Sequence, residues 1–492
     1  MARRIMIQGT MSGVGKSLLV TALCRIFRQD GLRVAPFKSQ NMALNSYVSP
    51  EGLELGRAQA VQAEAAGLAP DARMNPILLK PNSDTGSQLI VLGRARGTYD
   101  AKTYFAMKRS LIPEILEAYR SLEAENDVLV IEGAGSPAEI NLRADDIVNM
   151  GLAELVNAPV LLAGDIDRGG VFAQLYGTMA LLRPEERERV VGTVINKFRG
   201  DVSLLSPGLR QLEELTKVPV FGVVPWVKAE IDDEDSLSPR LERKSANRTL
   251  DIAVIRLPHI AIFTDFAPLE QHPALGVRYV DRPERLGSPD LLILPGTKNT
   301  MSDMAWLREI GFAEKILALA AAGTPILGVC GGYQMLGRAL RDPEGIEQRG
   351  EQEGLGLLPC ETVFVNEKLL RHTDAVCTAA PFSGAALQGY EIHMGRTGRL
   401  GGAPFCRTLD GQEEGTVEGL VFGTYLHGLF DSGELTGRLA DFLAARKGIE
   451  IPHLNIEPQA LYRQRQYDQL ADTVRESLDL QAVYRAMEDY DT

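Results

Sequence analysis

The sequence predicts an α/β protein of two domains, each built on a mainly parallel sheet flanked by helices. Short runs of Val, Ile and Leu alternate with longer helical patterns along most of the chain, which is typical of βα units. The 492 residues exceed what one hydrophobic core normally supports. A charged stretch without periodicity, Lys228–Arg248, separates two such alternating series, and we therefore expect two domains.

Each series supplies its own set of predicted elements. In the first series we expect strands at Ile5–Gln8, Arg33–Phe37, Val128–Glu132, Val160–Ala163, Val190–Ile195 and Val220–Val224, and helices such as Lys16–Arg28 and Tyr104–Leu122. In the second we expect strands at Ile252–Arg256, Val277–Val280, Leu291–Leu294 and Ile326–Val329, and a helix over Ala313–Ala322. The predicted organisation is a first domain over 1–228, a linker over 229–249, a second domain over 250–445 and a helical tail over 446–492.

Charge and cysteine content exclude several classes of protein. The chain has 52 Lys and Arg against 65 Asp and Glu, and this net charge of -13 argues against a nucleic-acid-binding surface. The 5 cysteines lie far apart without a CxxC pair, which argues against a disulfide framework. No apolar run approaches the roughly 18 residues of a membrane helix, and the N-terminal apolar run is too short for a signal peptide. We expect a cytoplasmic protein without a membrane partner or a tightly bound cofactor, and the sequence leaves its oligomeric state open.

A glycine-rich loop follows the first predicted strand and precedes the first helix. Its glycines allow backbone N–H groups to face one anion, its lysine adds a point charge, and its serine hydroxyl suits Mg²⁺. The fit to GxxxxGK[ST] is imperfect, because Thr10 stands where the first Gly is expected, and the alternative is an ordinary glycine turn. The predicted ATP-binding residues of this loop are Thr10, Gly13, Val14, Gly15, Lys16 and Ser17.

Two further strand ends extend this nucleotide site. Glu132 ends a buried strand before a Gly-Ala-Gly turn, where a Mg²⁺ ligand is needed beside a phosphate loop, so we expect Ser17 and Glu132 to bind the metal. Asn196 ends another strand and is expected to contact the nucleotide base. The alternatives are a capping carboxylate for Glu132 and a structural amide for Asn196. Both the loop and the Glu-Gly-Ala-Gly turn resemble the dethiobiotin synthetase family, whose members use ATP to activate a carboxyl-type oxygen for attack by nitrogen.

A cysteine in the second series stands between an apolar strand and a helix. Cys330 follows Ile326–Val329 and precedes two glycines, which predicts a sharp turn that exposes the thiol at a helix N-terminus. The N–H groups of Gly331 and of Gly296 in an upstream Pro-Gly turn are expected to form an oxyanion hole. His427 lies downstream among apolar residues, and although such a histidine is usually a core residue, its position after the other two features predicts a catalytic base.

This order of residues resembles the class I glutamine amidotransferases. The resemblance implies that Cys330 attacks the glutamine side-chain amide and that His427 is the base. Most members carry a Glu two residues after the His, whereas this chain has Leu429 there. We therefore expect a Cys-His dyad or a third member from elsewhere, and Glu391 is a candidate support rather than a predicted catalytic residue.

Both halves together, nearly end to end, resemble the cobyric acid synthase family. The segments that carry this resemblance are Lys38–Ser46, Leu55–Gln59, Asn75–Pro81 and Asp165–Gly170. It implies amidation of the b, d, e and g carboxylates of adenosylcobyrinic acid a,c-diamide, with ATP, Mg²⁺ and L-glutamine. Candidate substrate-binding residues are Lys38, Gln40, Asn41, Asn45, Lys80, Asp84 and Gln88. The alternatives are a cobyrinic acid a,c-diamide synthase, a cell-wall precursor amidase, and a nucleotide-switch protein with an inactive glutaminase domain.

Overall fold

The computed structural model describes residues 2–81, 86–232, 241 and 248–490, which form two compact units. The first unit contains the described residues of Met1–Ala43, Leu53–Glu234 and Arg463–Thr492, and the second those of Leu44–Gly52 and Asp235–Tyr462. Each unit is therefore assembled from separated stretches of sequence. Most of the linker expected over 229–249 lies outside the described residues.

The helices are distributed along the whole chain. Their bounds are α1 (Lys16–Gln29), α2 (Arg57–Ala66), α3 (Ala101–Met107), α4 (Ile112–Glu125), α5 (Met150–Leu155), α6 (Val171–Leu181), α7 (Pro184–Arg187), α8 (Ser206–Thr216), α9 (Ala267–Glu270), α10 (Thr300–Glu309), α11 (Phe312–Ala321), α12 (Gly331–Leu336), α13 (Glu434–Lys447), α14 (Gln459–Ser477) and α15 (Leu480–Asp489).

The strands before residue 230 build the first unit, apart from β4. Their bounds are β1 (Arg3–Gly9), β2 (Val34–Phe37), β3 (Gln40–Met42), β4 (Ser46–Val48), β5 (Glu54–Gly56), β6 (Ile77–Pro81), β7 (Gly86–Val91), β8 (Arg94–Asp100), β9 (Val128–Glu132), β10 (Val160–Asp165), β11 (Val190–Phe198) and β12 (Val220–Pro225).

A parallel six-stranded sheet in the order β12-β11-β10-β1-β9-β2 forms the centre of the first unit. Its strands are apolar because helices cover both faces: Ile5, Met6 and Ile7 of β1 are all buried. The C-terminal helices add to one face, where Leu470 and Val474 join a core cluster with residues of β1 and α1. All of the strands that the first series predicts are present, and their carboxyl ends meet at one edge.

The helix predicted over Tyr104–Leu122 is interrupted in the structure. Helix α3 ends at Met107, a 3-10 turn spans Lys108–Leu111, and α4 begins at Ile112 with Pro113 in its first turn. The prediction of one helix was wrong because proline lacks an N–H and its ring clashes with the preceding helical turn.

The first unit also has a smaller sheet in the order β3-β6-β7-β8, which is antiparallel except for the pair of β3 and β6.

The second unit has two sheets. Its remaining strands are β13 (Leu250–Ile255), β14 (Leu275–Val280), β15 (Leu291–Leu294), β16 (Ile326–Val329), β17 (Ala339–Asp342), β18 (Gly350–Glu353), β19 (Cys360–Cys377), β20 (Ala386–Arg399), β21 (Cys406–Thr408), β22 (Glu413–Glu414), β23 (Thr416–Glu418) and β24 (Val421–Thr424). One sheet has the order β14-β13-β15-β16-β24-β23 and is parallel except at β23. The other, built around the long antiparallel pair of β19 and β20, was not predicted.

The second unit buries most of its apolar side chains in one cluster, to which both faces of the parallel sheet contribute. Strand order places the carboxyl ends of β15, β16 and β24 side by side. These are the three ends at which Gly296, Cys330 and His427 follow in sequence. Among the helices of the described residues, none is both long and apolar enough to cross a membrane.

Candidate active sites

The phosphate loop lies between β1 and α1. Gly13 and Gly15 have φ values of 75° and 96°, which glycine adopts without the steric cost that a Cβ would bring. Lys16 is buried, and its Nζ donates to the carbonyl oxygens of Met11 at 3.3 Å and Gly135 at 3.1 Å. Thr10 donates from its hydroxyl to Gln174. The lysine therefore lies between the loop and the Gly-Ala-Gly turn that follows β9.

Glu132 is the centre of a buried hydrogen-bond network next to this loop. Its Oε1 accepts from the Ser17 hydroxyl at 2.9 Å and from Lys38 Nζ at 2.7 Å, and its Oε2 accepts from Gln62 Nε2. The structure thus brings together the two predicted metal ligands. Magnesium sites in proteins usually combine one or two carboxylates with the phosphates of the substrate. The Ser17 hydroxyl and the Glu132 carboxylate supply the hard oxygen ligands that Mg²⁺ prefers, so they fit this ion.

Asn196 also lies at the phosphate loop. Its Nδ2 donates to Val14 O at 2.8 Å, and a Cβ on Gly15 would lie only 2.3 Å from the same nitrogen. The following residue, Lys197, is paired with Asp165 at 2.8 Å. The structure therefore places Asn196 against the phosphate loop, and its contact with the nucleotide base stays a prediction.

A cavity of about 460 Å³ opens in the first unit beside the same turn, and Ala134 and Gly135 belong to its lining. Apolar side chains form much of the remaining wall, among them Met42, Tyr104, Phe105, Leu142 and Met150. Gln40 also lines it, and its Oε1 accepts from the Tyr104 hydroxyl at 2.5 Å. Lys108 also lines the cavity, with its Nζ above the Phe105 ring. Burial lowers the pKa of this lysine, and the negative charges of Asp146 and Asp145 offset only part of that shift.

The other candidate substrate residues have different environments. Lys80 is paired with Glu54 at 2.8 Å, Asn41 Nδ2 donates to Gln59 at 3.0 Å, and Gln88 lies opposite Lys80 in the smaller sheet. Asn45 belongs to the second unit. Asp84 lies outside the described residues. Among these candidates Gln40 lines the cavity, whereas Lys38 joins the network at Glu132.

Cys330 occupies a sharp turn between β16 and α12 in the second unit. Its φ of 52° and ψ of -109° are unusual for a residue with a side chain, and such strain is typical of a nucleophile turn. The following glycines permit it, since a Cβ on Gly332 would lie 1.9 Å from Leu294 O. A Cβ on Gly296 would lie 3.1 Å from His427 Cε1 and 3.7 Å from Cys330 Cβ. The predicted nucleophile, base and Pro-Gly turn are therefore neighbours.

Asp265 contacts the Nδ1 side of the His427 ring. Its Oδ2 lies 2.6 Å from His427 Nδ1, and its Oδ1 accepts from the Gly428 N–H at 3.0 Å. Burial lowers the pKa of His427, but the charge and hydrogen bond of Asp265, with a smaller contribution from the nearby Cys330, raise it to about 10. Among the described residues His427 Nε2 has no hydrogen-bond partner, and the Cys330 thiol donates to Ile392 O at 3.7 Å. The arrangement is a Cys-His-Asp set.

The sequence interpretation did not identify Asp265. The residue lies 162 positions before His427 and belongs to no motif that the sequence offers. Leu429, where most class I members have a Glu, is fully buried in the apolar core. Glu391, named as a candidate support, accepts instead from Arg371 and Thr373 and lies 3.4 Å from His393 Nε2.

Two family models match the chain. Residues 5–238 match the CobQ/CobB/MinD/ParA nucleotide binding domain, and residues 251–435 match the CobB/CobQ-like glutamine amidotransferase domain. A nucleotide-binding domain and a glutaminase domain in one chain, with the geometry described above, define a glutamine-hydrolysing amidoligase.

Curated relatives specify the family. The cobyric acid synthases of Ruminiclostridium cellulolyticum and Lachnoclostridium phytofermentans are 53% and 51% identical to this chain, over 99% of it and over 98% and 100% of their own lengths. That of Caldanaerobacter subterraneus is 51% identical over 100% of this chain and 99% of its own. The chain belongs to the cobyric acid synthase family.

Proposed function

We propose that this amidoligase uses ATP and glutamine to amidate the b, d, e and g carboxylates of adenosylcobyrinic acid a,c-diamide. The observation that supports this proposal is the combination of a phosphate loop bordered by a cavity of about 460 Å³ with a separate Cys-His-Asp centre. In this scheme the first unit activates a carboxylate, and the second unit releases ammonia from glutamine.

The first step is activation of the substrate carboxylate by ATP. A carboxylate oxygen attacks the γ-phosphorus, ADP leaves, and an acyl phosphate forms; ammonia then attacks its carbonyl carbon and expels phosphate. Lys16 would exchange its contacts with Met11 O and Gly135 O for phosphate oxygens. Ser17 and Glu132 would hold magnesium, which neutralises phosphate charge when bound. Lys38 and Gln62 fix the orientation of the Glu132 carboxylate.

The second unit performs the hydrolysis of glutamine. Cys330 Sγ attacks the side-chain amide carbon while His427 takes the thiol proton and passes it to the departing nitrogen. The N–H groups of Gly296 and Gly331 would stabilise the negative oxygen. Ammonia leaves, and water hydrolyses the glutamyl thioester with His427 as the base, which restores the thiol and releases glutamate.

The cavity suits a large ring that carries charged side chains at its edge. Its aromatic and aliphatic wall offers contact area to the faces of such a ring. Lys108 and Arg143 line it together with Glu139, Asp146 and Glu186, and these two cations are the groups that would meet peripheral carboxylates. We assign this cavity, rather than the buried Lys80 and Asn41, to the binding of the corrinoid.

The test is product analysis by mass spectrometry with ATP, glutamine and either cobyrinic acid or its a,c-diamide. Up to four amidation steps from the diamide, with little turnover of the free acid, support the proposal. Since the described residues provide one phosphate loop and one Cys330 centre, partly amidated species should accumulate early and then decline. Two steps from the free acid and none beyond would instead identify a cobyrinic acid a,c-diamide synthase.

A further inference from the structure

The segment Leu44–Gly52 comes from the N-terminal part of the sequence but packs within the second unit. Val48 belongs to a small buried cluster with Ala261, Ile262, Tyr390 and Ile392. The Tyr47 ring lies 5.2 Å from the Tyr390 ring, measured between centroids, and Val48 O lies 2.7 Å from His372 Nε2. This segment is therefore an integral part of the glutaminase unit.

Asn45 contacts the turn that precedes Asp265. Its side chain is 1% exposed, and its Oδ1 accepts from the Ile262 N–H at 2.8 Å. Ile262 has a φ of 53°, a left-handed conformation that is unfavourable for a β-branched residue and needs support from its surroundings. The hydrogen bond that Asn45 accepts from the Ile262 N–H supplies such support at the strained residue itself.

The turn at Ile262 determines where Asp265 lies. Ile262 caps the short 3-10 helix Phe263–Phe266, and the Asp265 N–H donates to Ile262 O at 3.2 Å. Asp265 in turn contacts His427 Nδ1 at 2.6 Å. A continuous series of hydrogen bonds and one helical turn thus joins Asn45 to the catalytic histidine.

The same segment also reaches His427 from a second direction. Tyr390 and His427 exchange two backbone hydrogen bonds, at 2.9 and 3.1 Å, and their rings stack with centroids 5.6 Å apart. The Tyr390 hydroxyl donates to Ser46 O at 3.4 Å. Residues 45 and 46 therefore contact the supports on both sides of the histidine.

We propose that Asn45 is a positioning residue of the glutaminase, which acts through Ile262 and Asp265 on His427. The proposal rests on the proposed role of Cys330 and His427 in glutamine hydrolysis. Loss of the Asn45 amide would let the Ile262 turn relax and move Asp265 away from Nδ1. The imidazole would then lose its orientation toward the thiol, whereas the chemistry of the first unit, which needs only ammonia, would continue.

The experiment is a double-mutant cycle on the full-length protein with Asn45→Ala, Asp265→Asn and both together. Glutamate release is measured against glutamine concentration, and corrinoid amidation is measured with ammonium salt in place of glutamine. Thr408→Val is the control, because it removes the part-buried hydrogen bonds of the Thr408 hydroxyl to the Asp410 carboxylate and to Gln412 O in the same unit, away from the histidine. If Asn45→Ala does not fold, Asn45→Ser, whose hydroxyl is too short to reach Ile262, replaces it.

We expect Asn45→Ala to lower kcat for glutamine by about tenfold with KM changed less than about twofold, since a misplaced base affects the transition state. In the Asp265→Asn background, Asn45→Ala should lower kcat for glutamine by less than about twofold, because the carboxylate of Asp265, through which Asn45 acts, is already lost. Ammonium-supported amidation and the Thr408→Val protein should remain close to wild type.

Three results would overturn the inference. One is a folded Asn45→Ala protein with the wild-type rate of glutamate release. Another is an equal loss in the wild-type and Asp265→Asn backgrounds, and the third is an equal loss of glutamine- and ammonium-supported activity. Absence of glutamate release from the wild-type protein would instead refute the proposed function itself.

Discussion

Asp265→Asn is the sharpest perturbation of the glutaminase centre, because it removes a charge while it keeps the shape of the side chain. The pKa of His427 is raised from 6.5 to about 10, and Asp265 supplies the largest favourable contributions. The aspartate holds the imidazolium through a charge-assisted hydrogen bond of 2.6 Å, and loss of such a bond to a buried charged group costs roughly 2–3 kcal/mol.

A pKa near 10 makes the imidazolium the favoured partner of Cys330, and attack proceeds from that state, so the lost stabilisation slows glutamine hydrolysis. A loss of 2–3 kcal/mol corresponds to a fall in glutamine-dependent kcat of about 10²-fold. An asparagine can also donate to Nδ1 instead of accepting from it, which favours the wrong tautomer of the ring.

The assay is glutamate release at saturating glutamine, with ammonium-supported amidation as the internal control and thermal unfolding as the check on folding. We expect glutamate release to fall about 10²-fold and ammonium-supported amidation to stay within about twofold of the wild-type rate. A folded Asp265→Asn protein that hydrolyses glutamine within about threefold of the wild-type rate would contradict this role of Asp265.

The other predictions concern the two chemical centres and one buried carboxyl group. Lys16→Ala should abolish amidation with either nitrogen source but leave glutamate release measurable, and normal amidation would refute the phosphate-loop assignment. Glu132→Gln should act similarly, with partial rescue by excess Mg²⁺ if the carboxylate is a metal ligand. Cys330→Ser should lose activity with glutamine and keep it with ammonium salts at alkaline pH; failure of ammonium rescue in a folded protein would contradict the division of labour. Burial raises the pKa of Glu414 to about 7, so the stability it contributes is present below pH 4.5 and is lost as pH rises through 7. Glu414→Gln should therefore raise Tm relative to wild type more at pH 8 than at pH 5, and an equal shift at both values would count against this origin.

The parts of the molecule that the sequence predicts well are those that depend on neighbouring residues. The buried strands β1, β9 and β10 appear as unbroken apolar runs because both faces of a parallel sheet are covered. The phosphate loop and the turn at Cys330 depend on glycines that stand a few positions from the functional residue. Local sequence is sufficient in these cases because the geometry itself is local.

The second sheet of the glutaminase unit shows why other elements were missed. Strand β19 alternates buried with half-buried residues at its start and buried with exposed residues at its end, but a register shift between Phe364 and Leu369 interrupts the alternation in the middle. A bulge of this kind moves side chains from one face to the other and hides the period of two. Lys38 and Lys80, predicted as substrate-binding residues, pair with carboxylates 94 and 26 positions away, and the sequence does not show these pairs.

In the proposed glutaminase centre, the carboxylate beside His427 is Asp265, which lies outside the sequence pattern of the class I amidotransferases. The chemistry requires an acceptor at His427 Nδ1, and a Glu two residues after the histidine is one way to provide it. In this chain that position is Leu429, which is buried among apolar residues, and His427 Nδ1 is bonded to Asp265 instead. Asp265 meets the requirement from an earlier strand connection, and its second oxygen accepts the Gly428 N–H. One carboxylate therefore fixes both the imidazole ring and the backbone that follows it, and in the proposed glutaminase it would replace the glutamate that most class I amidotransferases carry.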